Sequence, residues 1–199
     1  EGAGRRLTYA ELDAKANRLA NFLVSSGAAK GSVVAIMADD TAEVIATIIG
    51  VLRAGGVFVP LDPKIPEKRL ATMMTMISPA WYVTESKYLD SIGHIAGDVS
   101  PQVICLESIK PEYDSSKPSV DHLPDDMCYI YFTSGSTGVP KAIAGRLKGI
   151  DHFIRWEIDT LKLGEGVRVS QFLPLSFDGS LRDIFIPLCA GGTICLPGS

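Results

Sequence analysis

Residues that could bind an anion follow directly after an apolar run in the middle of the chain. The run Tyr129-Ile-Tyr-Phe132 is typical of a buried strand, and small hydroxyl and glycine residues come immediately after it. Glycines let the backbone approach a ligand closely, so that successive N–H groups can turn toward an anion. Hydroxyl donors and one positive charge complete a set of groups suited to phosphate: Thr133, Ser134, Gly135, Ser136, Thr137, Gly138 and Lys141.

The spacing of these residues differs from that of the common phosphate-binding loop, GxxxxGK[ST]. Here two residues separate Gly135 from Gly138, and Ala142 follows Lys141 in place of a hydroxyl residue. Serine, glycine, threonine and proline also dominate ordinary surface turns. From the residue types alone, phosphate binding and a plain turn are therefore equally good interpretations.

The composition is that of an ordinary globular protein and excludes several functions. Over 199 residues the hydrophobic fraction is 46% and the formal net charge is −4, which argues against general binding to nucleic acid or acidic membranes. No apolar run is long enough to span a bilayer and no signal-peptide core follows the first residues, so we expect a cytoplasmic protein. The cysteines and histidines lack ligand spacing, so no metal site is predicted. Three cysteines in strand-like runs are expected to be buried: Cys105, Cys128 and Cys195.

Helical and strand patterns alternate along the chain. A capping box at Thr8 and Glu11 predicts a helix that lasts until Gly27, and Asp40 predicts the cap of a second helix that stops at Gly55. Further helices are predicted near 67–77, between 84 and 103, at 150–161 and at 180–188. Strands are predicted at 33–37, 57–60, 81–84, 103–106, 129–132, 143–144, 167–173 and 193–196.

This alternation fixes the expected fold class. Strands separated by helices imply parallel pairing through crossover helices. We therefore expect an α/β fold that is doubly wound, with mostly parallel sheets and helices on both faces. Residues 110–126, which are rich in proline, serine and aspartate, are expected to form a loop or a mobile linker within that fold.

The ordered string from Thr133 to Lys141 resembles the phosphate-binding signature of the acyl-adenylate-forming enzymes. That superfamily includes acyl-CoA synthetases, firefly luciferase and the adenylation domains of nonribosomal peptide synthetases. The adenylation domains are favoured by the continuation Pro63-x-x-Pro66-x-x-Arg69. Three further stretches resemble their core motifs in the same order: Leu7-Thr-Tyr-Ala-Glu-Leu12, Leu52-Arg-Ala-Gly-Gly-Val-Phe-Val-Pro-Leu-Asp62 and Phe177-Asp-Gly-Ser180. By this resemblance, residues 1–199 are expected to be part of the N-terminal subdomain of an adenylation domain, truncated at both ends.

The resemblance implies a reaction and a set of site residues. The family activates an amino acid with ATP and Mg²⁺ as aminoacyl-AMP, for transfer to the phosphopantetheine thiol of a carrier protein. The loop after Phe132 and the catalytic Lys141 would hold the β- and γ-phosphates. Asp178 would pair with the α-ammonium of the substrate, while Gly179 and Arg182 would line its side-chain pocket. Asp178 could instead cap a helix, and Arg182, which hints at an acidic or otherwise polar substrate, could pair with Asp183 or face solvent.

Partners and alternatives follow from the same resemblance. The expected partners are an amino acid, a peptidyl carrier protein, other synthetase modules and a small MbtH-like accessory protein. We expect residues 1–199 to be inactive alone. An acyl-CoA or aryl-acid ligase and a non-catalytic docking fragment are the alternative functions. One departure from the family pattern is Leu147, which stands where these enzymes usually carry a histidine.

Overall fold

The computed structural model describes residues 6–134 and 139–197, with only the backbone described at Ser134. Helices and strands alternate through most of this part of the chain. The helices are α1 (Tyr9–Ser25), α2 (Thr41–Arg53), α3 (Glu67–Ile77), α4 (Leu89–Ile95), α5 (Leu147–Leu161) and α6 (Ser180–Cys189). The strands are β1 (Val33–Met37), β2 (Val57–Pro60), β3 (Trp81–Thr84), β4 (Gln102–Cys105), β5 (Met127–Ser134), β6 (Pro140–Arg146), β7 (Arg168–Ser170) and β8 (Thr193–Cys195).

The first two helices begin where their capping residues predict. The backbone N–H of Thr8 donates to Glu11 at 2.7 Å, and the backbone N–H of Glu11 donates back to the Thr8 hydroxyl, so the capping box is complete. The Asp40 side chain accepts from the backbone of Ala42 and Glu43 at the start of α2. Such caps satisfy N–H groups that have no partner within the helix, and the predictions for both helix starts are confirmed.

Six strands form the main sheet, in the order β4-β3-β1-β2-β5-β6. The first five are parallel to one another. Successive side chains of β1 point to opposite faces of the sheet, as in any strand. Val34 packs with α1 and α2 on one face, whereas Ala35 packs with α3 on the other. The predicted α/β class, with a mostly parallel sheet and helices on both faces, is confirmed.

The last strand of this sheet differs from the expectation. The sequence predicts a strand at 143–144, but β6 is seven residues long and pairs antiparallel with β5. The pairing extends the strand, because β5 offers hydrogen-bond partners along its whole length. The register runs from Met127 opposite Arg146 to Ser134 opposite Pro140, so the two strands form a hairpin.

A second, two-stranded parallel sheet consists of β7 and β8, which α6 connects. It packs on the same face as α1 and α2, since Leu181 and Ile184 of α6 and Ile194 of β8 belong to that core. The predicted strand at 167–173 is shorter than expected: β7 ends at Ser170, and after a backbone hydrogen bond from Gln171 to Cys195 the chain turns toward α6.

The polar segment 110–126 contains no helix or strand, as predicted, but it makes specific contacts with α1. Asn17 donates to the carbonyl of Ser115, and Asn21 donates to the carbonyls of Asp114 and Ser116. Side-chain amides of the helix thus satisfy the backbone of the loop.

The expectation of buried cysteines is only partly correct. Cys128 is buried, and burial raises the pKa of its thiol to about 12. Cys105 and Cys195 are only half-buried because they end their strands at the edge of the core, where packing covers one side of each residue.

Candidate functional site

The hairpin of β5 and β6 positions the predicted phosphate-binding residues. Thr133 lies opposite Lys141 in the register, and Ser134 lies opposite Pro140. Thr133 and Lys141 are both exposed. The segment that joins the two strands therefore begins at the carboxyl end of β5, next to a central parallel strand. In α/β sheets, ligands bind at the carboxyl ends of parallel strands.

Part of the predicted loop lies outside the described residues. This applies to Gly135, Ser136, Thr137 and Gly138, and to the side chain of Ser134. Their role in phosphate binding stays a prediction.

The hairpin depends on one close contact between its strands. The ring of Tyr129 covers Gly145, so that a Cβ atom at Gly145 would lie 1.9 Å from the ring carbon Cζ. The ring is itself packed against Tyr131, at 5.4 Å between centroids, and against Phe58 of β2, at 6.1 Å. Glycine is therefore required at position 145, because the Tyr129 ring lies directly against its backbone. The space holds an aromatic cluster that joins the hairpin to the rest of the sheet.

Leu147 stands at the position where the resemblance predicts a histidine, and it is the first residue of α5. Its half-buried side chain lines a groove of about 880 Å³, together with apolar residues such as Leu123, Ile150 and Ile154. An apolar side chain thus forms part of a groove wall at this position.

Asp178 lies in the turn between β7 and α6, and its carboxylate does not cap the helix. The N-cap of α6 is Gly179, without a side-chain cap hydrogen bond. Only the backbone carbonyl of Asp178 accepts a hydrogen bond, from Leu181. Asp178 is exposed, and among the described residues its carboxylate has no hydrogen-bond or ion-pair partner. Helix capping, the alternative role for this side chain, is therefore wrong.

Electrostatic effects connect Asp178 to β5. Burial raises the pKa of Tyr131, a hydrogen bond with Ser180 lowers it, and the charge of Asp178 raises it further. The pKa of Tyr129 is likewise raised, first by burial and then by the charges of Cys128 and Asp178. The hydroxyls of Tyr131 and Ser180 lie 3.5 Å apart, which joins β5 to the first turn of α6. Tyr131 is three residues before Ser134 along the strand, or about 10 Å.

Gly179 lies close to two side chains of the turn before α6. Its φ of −57° is available to any residue, so backbone conformation does not require glycine. A Cβ atom would lie 2.8 Å from Cδ1 of Leu173 and 3.1 Å from the ring of Phe177. A larger residue at this position would therefore have to displace these two exposed side chains.

Arg182 lies in the first turn of α6, four residues after Asp178, and pairs with a residue that the sequence did not single out. Its Nε donates to Oε1 of Glu157 at 2.5 Å, and not to Asp183 or to solvent alone. Glu157 lies on α5 and is only 6% exposed. Its position among inward-facing apolar residues such as Ile154 is a signal that could have identified Glu157, because a buried charge normally has a partner.

A cleft of about 290 Å³ lies beside this region, at the carboxyl ends of both sheets. It is lined by residues that follow β1, β2, β7 and β8, among them Asp39, Asp62, Gln171 and Pro197. Residues 173–176, which immediately precede Phe177 and Asp178, form another wall. The two acids are already engaged: Asp39 accepts from the Tyr88 hydroxyl at 2.7 Å, and Asp62 accepts from the backbone of Lys64 at 2.8 Å. This cleft was not predicted from the sequence, although acids directly after two strands were a usable signal.

Metal clusters and membrane spans are both missing from the described part of the chain. No group of three or more His, Cys, Asp or Glu residues there could hold a metal ion. None of the helices there is apolar over a length that would cross a membrane.

Comparison with known proteins gives a consistent result. The family model described as AMP-binding enzyme matches residues 1–199. Tyrocidine synthase 3 of Brevibacillus parabrevis is 34% identical over 196 residues, which cover 96% of this chain and 3% of that protein. Malpinin synthetase of Mortierella alpina is 33% identical over 194 residues, which cover 97% of this chain and 2% of that protein. The chain therefore spans a small fraction of the curated relatives that it matches.

Solved structures agree with the observed fold. FmoA3, a nonribosomal peptide synthetase in its α-methyl-L-serine-AMP bound form, matches with a TM-score of 0.86 and 26% identity, over 97% of this chain and 21% of that one. ATP-bound MatB from Rhodopseudomonas palustris matches with a TM-score of 0.89 and 26% identity, over 97% of this chain and 40% of that one.

Proposed function

Because the chain belongs to the AMP-binding enzyme family, we propose that it contributes the phosphate-binding loop and the ammonium partner of an enzyme that activates an amino acid with ATP. The observation that carries this proposal is the position of Asp178. Its carboxylate is exposed, unpaired among the described residues and close enough to β5 to raise the pKa of Tyr129 and Tyr131. The same strand leads into the loop that would hold the phosphates.

The reaction requires little covalent chemistry from the protein. A carboxylate oxygen of the amino acid attacks the α-phosphorus of ATP, the bond to the bridging oxygen breaks, and pyrophosphate leaves with the electron pair. The product is a mixed anhydride, aminoacyl-AMP. Positioning and charge neutralisation account for most of the catalysis in such transfers. Backbone N–H groups and hydroxyls of residues 133–138 and the ammonium of Lys141 would supply both for the β- and γ-phosphates.

Magnesium would accompany the triphosphate. Mg²⁺ is commonly bound by substrate phosphates together with one or two carboxylates, and it retains several waters. A dedicated acidic cluster in the protein is therefore unnecessary. The chain's own contribution would be the positive charge and the donors of the loop after β5.

Asp178 determines which acid is activated. An ammonium brought into a pocket needs an opposite charge, since leaving it unpaired costs about 3–5 kcal/mol. A fatty or aryl acid has no ammonium and would gain nothing from this carboxylate. We therefore favour an amino acid over the substrates of an acyl-CoA or aryl-acid ligase. Transfer to the phosphopantetheine of a carrier protein would follow, with other synthetase modules and an MbtH-like protein as partners.

The test is exchange of labelled pyrophosphate into ATP by the complete protein to which these residues belong. A panel of amino acids is compared with fatty and aryl acids. The proposal predicts exchange that depends on an amino acid and is absent with the other acids. Exchange only with a fatty or aryl acid would support the alternative ligase. A folded protein that neither exchanges nor binds ATP would support the non-catalytic fragment.

A further inference from the structure

A buried ion pair joins α5 to the first turn of α6, close to Asp178. Glu157 of α5 is 6% exposed, and its Oε1 accepts from Nε of Arg182. The other carboxylate oxygen, Oε2, is buried and has no hydrogen-bond partner among the residues that the structure describes. Arg182 is therefore the single described partner of a carboxylate that is almost completely removed from water.

Arg182 is accessible on its other side. About half of its side chain is exposed, and within the described chain the only hydrogen bond of that side chain joins Nε to Glu157. The two terminal nitrogens of its guanidinium thus remain able to donate to a ligand. Asp178 lies in the turn before α6, where its carbonyl accepts from the backbone N–H of Leu181, so Arg182 in the first turn of the helix is close to it in space. A ligand held by Asp178 would therefore have its side chain within reach of Arg182.

The ion pair constrains what Arg182 can do. If Arg182 turned away to bind a carboxylate of the substrate, Glu157 would be left as an uncompensated buried charge, which is strongly unfavourable. A ligand therefore meets Arg182 with Glu157 still attached to it. The ion pair has no net charge. The carboxylate of Glu157 repels an anionic side chain that approaches Arg182.

We propose that Glu157 is a specificity-determining positioning residue, which holds Arg182 in place and offsets its positive charge. The site then selects an amino acid with an uncharged, hydrogen-bond-accepting side chain over an acidic one. This inference rests on the proposed function. It narrows the substrate class, since Arg182 considered alone would favour a carboxylate as much as an amide or a hydroxyl. Arg182 would donate to the neutral acceptor of the substrate through its terminal nitrogens.

The test compares amino acids that differ only in charge. Amino-acid-dependent exchange of pyrophosphate into ATP is measured in the complete protein with asparagine and aspartate, and with glutamine and glutamate. The wild type is expected to favour the amide of each pair by about tenfold or more. Glu157→Gln keeps the shape but removes the charge, so it should shift the ratio of kcat/KM values toward the carboxylate by about tenfold or more.

Two further variants make the result interpretable. Asp159→Asn removes the same charge from the exposed side of α5 and should leave the ratio within about twofold, because positions two apart do not share a face. If Glu157→Gln fails to fold, Glu157→Met removes the charge without burying an unpaired polar group. Circular dichroism establishes which variants are folded.

The outcomes separate this inference from the function on which it rests. Wild-type preference for an acidic or apolar amino acid, or an unchanged ratio in folded Glu157 variants, overturns the inference but leaves amino acid activation intact. Absence of exchange with every amino acid overturns both.

Discussion

At the scale of single residues, Lys141 is the group to which we assign charge neutralisation. It lies opposite Thr133 at the end of the hairpin where the two strands are joined, and it is exposed. Among the described residues it has no hydrogen-bond or ion-pair partner that would give it a structural role. An unengaged cation beside a loop rich in glycine and hydroxyl residues suits the stabilisation of negative charge in a transition state.

Lys141→Ala should slow adenylate formation by about a hundred- to a thousandfold, because loss of one charge-stabilising donor costs about 2.7–4 kcal/mol in the transition state. The measurement is the rate of amino-acid-dependent pyrophosphate exchange at saturating substrates. Lys148→Ala is the matched control, since Lys148 forms a surface ion pair with Asp125 and should affect exchange little. Near-normal exchange in Lys141→Ala would refute its assignment.

The individual side chains differ in how far the sequence could predict them. Residues 133–141 and Phe177-Asp-Gly-Ser180 form recognisable strings, so the position of the first at the end of β5 and of the second at the start of α6 could be anticipated. Glu157 could be recognised as an inward-facing charge, but its pairing with Arg182 could not be predicted, because the two residues are 25 positions apart and only the packing of α5 against α6 brings them together. The contacts of Gly179 could not be predicted either, since they depend on how Leu173 and Phe177 fold back over the turn.

At the scale of elements, the hairpin of β5 and β6 supports the loop, and its tightest point is Gly145. Gly145→Ala should lower the free energy of unfolding by about 1–3 kcal/mol, the usual cost of forcing extra volume into a packed core. The Tyr129 ring cannot move away easily, because Phe58 and Tyr131 pack against it.

Urea unfolding of the chain provides the measurement, with Gly149→Ala as the control. Gly149 lies in α5, and a Cβ atom there would have no other heavy atom within 4 Å. Alanine at this position should therefore be neutral or stabilising by up to about 1 kcal/mol. Equal stability of the two variants would show that Tyr129 does not constrain the hairpin.

Local sequence signals account for most of the elements but not for all of their partners. The caps at Thr8 and Asp40 specify where α1 and α2 begin, because capping is a contact between residues close in sequence. The length and direction of β6 come from its pairing with β5, which its own residues do not encode. The division of the strands into two sheets depends in the same way on long-range packing around α6.

At the scale of the whole molecule, carboxylates at several surface positions have pKa values below their usual range. Hydrogen bonds from the Cys105 thiol, its own backbone and Ser86 lower the pKa of Glu107 from 4.5 to about 2. This residue joins the ends of β3 and β4. The pKa is lowered also at Glu11, Asp39, Asp114, Asp125 and Asp126, mainly by hydrogen bonds that favour the charged form.

These shifts predict acid sensitivity of the fold. A depressed pKa contributes stability above the unfolded value, and this contribution is lost as the pH falls through the folded value. For Glu107 the loss should occur between about pH 4.5 and about pH 2. Glu107→Gln should destabilise the chain at pH 7 by less than about 1 kcal/mol, because solvent screens this exposed group. The difference from wild type should vanish by about pH 2, as measured by urea unfolding across this range. A difference that does not change with pH would contradict the linkage.

The central claim is that one carboxylate, beside the strand that leads into the proposed phosphate-binding loop, selects an amino acid, and Asp178→Ala tests it most directly. In the complete protein, the affinity for the preferred amino acid is compared with that for the same acid lacking its amino group. We predict that the variant loses about two to three and a half orders of magnitude in affinity for the amino acid, with little change for the des-amino acid. Unchanged affinity for the amino acid, in a folded Asp178→Ala protein, would contradict this role of Asp178.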